Sequence, residues 1–288
     1  MRTYPLHCFL LLTALPLTAQ YATTPTAARF VTEDVDRFWQ AFEQMDTKGA
    51  AAFTPYLRRG TPGVKGFIKY RIESAEALYA TVRERRADYL DSRDVLNELP
   101  AQAAKIRRIY ANLKAIYPAA VFPPVYFVVG RFTSGGTVTR SGIIVGTEML
   151  ENLDELPGLV AHELIHFQQP RRRGKANLLE QSIREGVADY VGEKISGLNL
   201  NAALHAYGEA HAARLTAEFR ERMYGKDRTD WLYGTSGKDD RPNDLGYWMG
   251  YRIAAGYVAA RGDERAALAE LIRLEDAEEI ARVSGVLP

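Results

Sequence analysis

Cysteine is almost absent from this chain: Cys8 is the only one in 288 residues. It sits at the start of the first apolar run, so removal of that run would leave no disulfide and no thiol for catalysis. An excess of charge of either sign is missing too. Thirty-seven Lys and Arg face 36 Asp and Glu, a net charge of +1, which gives no field to draw in nucleic acid or an anionic membrane. Neither is expected as a partner. Nor is there an apolar run of the roughly 20 residues that a membrane-spanning helix needs. The acids Asp239, Asp240 and Asp244 lack a calcium-loop spacing, and no internal repeat or low-complexity block interrupts the chain.

The amino terminus has the composition of an export signal. Arg2 supplies a positive start, residues 6–17 an apolar centre broken by His7 and Pro16, and Leu17-Thr18-Ala19 a small-residue site with cleavage before Gln20. Residues 1–19 are therefore expected to be removed and the mature protein to be periplasmic or secreted. A lipoprotein cysteine would follow the apolar run, whereas Cys8 lies within it.

Residues 20–120 read as a helical region. Val35, Phe38, Trp39, Phe42 and Met45 recur at helical spacing after a possible Thr32 cap. Ser74 can cap a second helix. Ile106, Ile109, Tyr110, Leu113, Ile116 and Tyr117 keep the helical period of a third until Pro118 stops it. The Phe38/Trp39/Phe42 stripe is expected to pack in the core. At residue 125 the pattern changes: 125–129 and 142–146 read as strands of a small antiparallel sheet, joined by a turn-rich connection over 133–137. The expected fold class is α+β, with residues 121–288 carrying the site and forming one unit with 20–120, because no linker separates them.

Directly after the second strand comes His162-Glu163-Leu164-Ile165-His166. On a helix beginning at Leu156-Pro157-Gly158, with Asp154 near its cap, the two imidazoles lie about 40° apart on one face, the geometry of a zinc site. Val160, Leu164 and Phe167 form the opposite, core-facing stripe. The metzincin continuation fails, since Gln169 and Arg172 occupy its glycine and third-histidine positions. Eighteen residues after His166 stand between it and Glu185, room for a turn through Pro170 to Lys175 and a second helix over 178–195 that returns beside the first. Glu185 can then be the third ligand, and a catalytic zinc keeps its fourth position for water. Asp189, one turn on, can accept the other ring N–H of a ligating histidine. Gly186 is costly in mid-helix, and a close approach of these two helices at the metal would explain it.

His162-Glu163-x-x-His166 with Glu185 and Asp189 resembles the gluzincins, the zinc metallopeptidases that include thermolysin and the large aminopeptidases. The stretches His-Glu-Leu-Ile-His-Phe-Gln-Gln, Arg-Glu-Gly-Val-Ala-Asp-Tyr and Asp244-Leu245-Gly246-Tyr247-Trp248-Met249-Gly250-Tyr251 resemble a group of exported bacterial predicted Zn-dependent proteases related to gliding-motility lipoproteins. The first likeness covers about thirty residues; the second runs from Val125 to the end of the chain. In gluzincins a strand upstream of the zinc helix pairs with the extended substrate, and the resemblance implies the same use for the strands here. Gly146-Thr147-Glu148-Met149 resembles the amine-holding element of aminopeptidases, but order and spacing differ and that specificity is not carried over.

The expected chemistry is peptide hydrolysis on a peptide or protein substrate. Zn²⁺ held by His162, His166 and Glu185 would acidify a bound water and polarise the carbonyl. Glu163 would pass the water's proton to the leaving amine. The oxyanion needs another donor, with Tyr247 the first candidate and His211 the second. The rival reading is an exported scaffold or motility-linked binding protein with a structural metal. Glu163 argues against it, because a structural zinc needs no base and is closed by a fourth protein ligand. Endopeptidase and aminopeptidase action stay unseparated.

Overall fold

The computed structural model describes residues 21–93, 99–150, 152–171, 174–234 and 241–287. The expected export signal over 1–19, Cys8, Asp239 and Asp240 lie outside the described residues. A two-residue strand β1 (Phe30–Val31) leads into α1 (Glu33–Lys48). The helix buries Val35, Phe38, Trp39, Phe42 and Met45, as their spacing requires. Phe38 packs against Phe53, Tyr56 and Tyr89 at centroid distances of 5.7, 5.7 and 5.5 Å, so the aromatic stripe is core. Thr32 occupies the cap position of α1 but makes no side-chain cap bond. Short helices α2 (Thr54–Arg59) and α3 (Pro62–Phe67) follow. Next come α4 (Ala75–Glu84), capped by Ser74 Oγ accepting from Ala77 N–H at 3.1 Å, then α5 (Arg86–Arg93) and α6 (Leu99–Ile116).

The sheet comprises β1, β2 (Val125–Val128), β3 (Gly136–Val138) and β4 (Ile143–Gly146) in the order β1-β2-β4-β3. It is mixed, which corrects the expected antiparallel pair: β2 and β4 run parallel, with Val125 opposite Ile143 and Val128 opposite Gly146. The connection read as a turn runs into β3, which goes back along the outside of β4. One reversal before β3 and one after it leave β4 pointing the same way as β2. The signal for this was in the residues. Val-Tyr-Phe-Val and Ile-Ile-Val-Gly do not alternate, every residue of both is buried, and unbroken apolar runs are the mark of strands covered on two faces. The half-exposed Gly-Thr-Val of β3 belongs at an edge. Here α1 and α3 pack on the sheet from the N-terminal half, and α7 (Leu156–Gln168) packs against β3 and β4.

Beyond α7 the chain is helical: α8 (Leu178–Ser196), α9 (Ala202–Ala210), α10 (Ala212–Arg222), α11 (Leu245–Arg261), α12 (Glu264–Arg273) and α13 (Ala277–Ser284). Helix α8 is central, flanked by α7, α11, α12 and α13. One hydrophobic cluster runs from Ala28 to Ala281. No helix among the described residues is long and apolar enough to cross a membrane.

Glu148, just past β4, is buried in the sheet's end. Phe132 N–H donates to its Oε1 at 3.2 Å, while Oε2 has no hydrogen-bond partner among the described residues. Burial pushes its carboxyl up to about 7 from the usual 4.5, only partly offset by backbone N–H donors. A carboxyl so placed is tied to the fold and does not offer itself to a substrate amine. Between pH 4.5 and 7 the folded chain keeps a proton that the unfolded chain has released, so stability falls as pH rises, by about 3 kcal/mol in all. Glu148→Gln is therefore expected to melt close to wild type near pH 4.5 and about 6–10 °C higher at about pH 8. Thermal scans across that range check it; a difference that does not change with pH would refute the assignment.

Candidate metal centre

Helix α7 starts at Leu156 with Pro157 in its first turn, where a missing N–H costs nothing. Asp154 does not cap it. Its own N–H donates to Asn152 Oδ1 at 2.9 Å, and its carboxylate lies in solvent, 3.8 Å from Lys105 Nζ. Val160, Ala161, Leu164 and Ile165 are fully buried, which turns His162 and His166 to the opposite arc. Phe167, expected in the core stripe, is only half-buried and packs edge-on against Tyr21 at 4.9 Å.

Helix α8 is set by a capping box at Asn177. Asn177 Oδ1 accepts from Glu180 N–H and Glu180 Oε2 accepts from Asn177 N–H, both at 2.8 Å. From there Glu185 and Asp189 face α7. His162, His166 and Glu185 offer ligand atoms that all lie within 4.8 Å of one another, a group that could hold a metal ion. Glu185 Oε2 is 2.8 Å from His166 Nε2 and 3.6 Å from His162 Nε2. The outer ring nitrogens are engaged: His162 Nδ1 lies 2.7 Å from Asp189 Oδ1, and His166 Nδ1 lies 2.8 Å from Gln169 Oε1. Both of those partners are acceptors, so each Nδ1 carries the hydrogen. The two Nε2 lone pairs then converge on a carboxylate, an arrangement that only a proton or a cation can satisfy. Two imidazoles and a carboxylate are the donors zinc takes in catalytic sites, so the residues fit that ion.

The electrostatics point the same way. Burial alone would lower His162, but its contacts with Asp189 and Glu185 hold it well above the usual imidazole range. Burial alone would raise Glu185, yet His166 and His162 hold it well below the usual carboxylate range. Cation-stabilising groups thus surround the spot where the three donors meet. Glu163 is buried too, and burial raises its carboxyl against the opposing pull of His162 and His166. Its neighbour is the edge strand β3. A Cβ on Gly136 would stand 2.7 Å from Glu163 Oε1, so a glycine is what lets the carboxylate lie against that strand.

The sequence did not single out four of the polar residues around the donors. Gln169 bridges His166 to the Arg184 carbonyl, to which its Nε2 donates at 3.0 Å; its place three residues after His166, on the same helix face, was a readable signal. Gln181, one turn before Glu185, donates to Glu185 Oε1 at 2.8 Å. Asn201 donates to Asp189 Oδ2 at 2.7 Å. The Tyr233 hydroxyl donates to Glu185 Oε1, and no spacing rule reaches it. Tyr233 and Asp244 both have left-handed backbones, with φ of 59° and 65°, and Tyr233 N–H donates to Asp244 Oδ1 at 2.6 Å. That turn carries the tyrosine over α8.

Of the two expected oxyanion donors, the structure brings only Tyr247 to the cluster. Its ring stacks on His162 at 6.1 Å and 17°, and burial keeps its hydroxyl protonated far above the usual range. His211 is engaged elsewhere: it stacks on Tyr207 at 4.2 Å with Nδ1 2.8 Å from the Tyr207 carbonyl. Gly186 meets α11, not α7 as expected. Its Cα faces the backbone of Gly250 and Tyr251 on α11, and the small residue facing α7 is Gly192, at His162.

Residues 127–282 match a family described as Predicted Zn-dependent protease (DUF2268). The match spans more than half of the chain, and the chain belongs to that family. No protein of curated function matches it.

Proposed function

We propose that this member of the predicted Zn-dependent protease family is an exported, gluzincin-type zinc metallopeptidase that hydrolyses peptide bonds. The observation that carries the reading is the convergence of His162, His166 and Glu185 beside a buried carboxylate, Glu163, that is not one of the three donors. A purely structural site has no use for that fourth group.

His162 and His166 would hold zinc through Nε2 and Glu185 through Oε2, with Asp189 and Gln169 fixing the imidazole tautomers. Bound there, the ion supplies Lewis acidity for the scissile carbonyl and for a water molecule. Glu163 takes the proton from that water and delivers it to the leaving nitrogen; its raised proton affinity suits a group that must do both. The Tyr247 hydroxyl donates to the developing oxyanion, for which a protonated phenol is required. Tyr233 and Gln181 hold the outer oxygen of Glu185 and so keep Oε2 turned inward. Strand β3 supplies the edge along which an extended peptide can pair.

Elemental analysis of purified protein with a cleavage assay on a denatured protein tests the proposal. Near-stoichiometric zinc is expected, with cleavage lost on chelation and restored by zinc. Glu185→Gln is expected to lose the metal by at least tenfold in affinity, since it removes a charge from the donor set. Zinc-loaded protein that cleaves nothing would return the reading to a metal-stabilised scaffold.

A further inference from the structure

From the metal centre a groove of about 1170 Å³ opens past His166, between the end of β3 and the loop joining α7 to α8. Its lining includes Arg140, Arg171, Lys175, Arg184 and Arg228 and no Asp or Glu among the described residues. The chain as a whole is balanced, 37 cations against 36 anions, so five cations in one groove are a local concentration, not a reflection of overall charge. Two of them are built into the wall. Arg184 donates to the Pro170 and His166 carbonyls at 3.0 and 3.4 Å, and Arg228 donates to the Ala176 carbonyl at 2.8 Å. Arg140, Arg171 and Lys175 are exposed at the rim.

The direction of a bound peptide follows from β3. Gly146 N–H donates to the Gly135 carbonyl and Thr139 N–H to the Gly142 carbonyl, each at 2.9 Å. Residues 135, 137 and 139 therefore turn their peptide groups to β4, and alternation turns those of Gly136 and Val138 outward. Gly136 stands beside Glu163, where the bond is cut, and the strand leads from there to Val138, Thr139 and Arg140 in the groove. A peptide added antiparallel, the more stable ladder, has the residues beside Arg140 ahead of those beside Gly136 in its own chain. We propose that the groove beside His166 binds acidic side chains of the substrate on the amino-terminal side of the cleaved bond, roughly two to four residues before it at the rise of a strand.

This specificity rests on the peptidase reading and adds to it. A groove of cations is a poor place for a free α-ammonium, which favours cleavage inside a chain over removal of its first residue. The test uses zinc-loaded protein and peptides of one length carrying Glu, Gln or Lys two to four residues before a common cleavage site, with the cut located by mass spectrometry. The Glu peptide is expected to show kcat/KM about tenfold above the Gln peptide at low salt, with the ratio shrinking as ionic strength rises. Arg140→Gln and Lys175→Gln together should bring the ratio near one, and Lys175→Glu should favour the Lys peptide. Equal rates for Glu and Gln, or a preference for acid only after the bond, would overturn the proposal while leaving a peptidase. If no peptide is cut, fluorescence anisotropy of the labelled Glu and Gln peptides on Glu163→Gln protein still decides: tighter binding of Glu that Arg140→Gln abolishes supports the groove, and equal binding overturns it.

Discussion

Glu163→Gln is expected to keep its zinc and to lose cleavage by about 10²–10⁴-fold, the usual worth of a positioned general base. The amide matches the carboxylate in shape, so the packing against Gly136 survives. The three converging donors are on other residues. What disappears is the capacity to take a proton and return it. Burial raises the Glu163 carboxyl, which means that its ionised form is held in the fold at a cost, and removing that charge should not lower the melting temperature. Zinc content by elemental analysis, a thermal scan and the rate on a denatured protein are read side by side. Cleavage unchanged by the substitution would remove Glu163 as the base, and loss of zinc along with cleavage would mean that it supports the metal instead.

Gly186→Ala is expected to be the most damaging small substitution in the metal half. A Cβ at 186 would overlap the Gly250 carbonyl carbon and the Tyr251 nitrogen, and one at Gly250 would overlap the Ser182 carbonyl. Backbone stands on both sides of the contact, so no side chain can rotate away. Helices α8 and α11 must part, at about 3 kcal/mol or more, which lowers the melting temperature by about 6–12 °C in a chain of this size. Function suffers through the same movement, because α8 carries Glu185 and Asp189 while α11 carries Tyr247. Zinc affinity should fall even under conditions where the variant is folded. Gly192→Ala is the control: its Cβ would stand 3.4 Å from His162 N, an ordinary contact, and the gain in helix propensity leaves it near wild type or more stable by up to about 1 kcal/mol. Equal melting of both variants would show that the α8–α11 crossing is not tight.

The parts of the site that could be read in advance are those that local periodicity turns into geometry. A step of four residues from one histidine to the next is about one helical turn, so His162 and His166 share a face wherever α7 lies. Glu185 and Asp189 share a face of α8 for the same reason. The core faces of α1 and α6 follow from the same rule. Gln169 and Gln181 lie within reach of the same rule, three residues after His166 and four before Glu185.

The amino-acid sequence by itself determined the core faces of α1 and α6 and which imidazoles and carboxylates share a turn, because these depend on neighbours three or four residues away. Only the tertiary structure decided that β4 lies parallel to β2, that Gly186 meets α11 rather than α7, that Tyr233 reaches Glu185 across 48 positions, that His211 turns to Tyr207, and that five cations gather in one groove. Those are contacts between segments far apart in the chain, chosen by which packing buries the most apolar surface with its polar groups satisfied, and no local spacing carries that information.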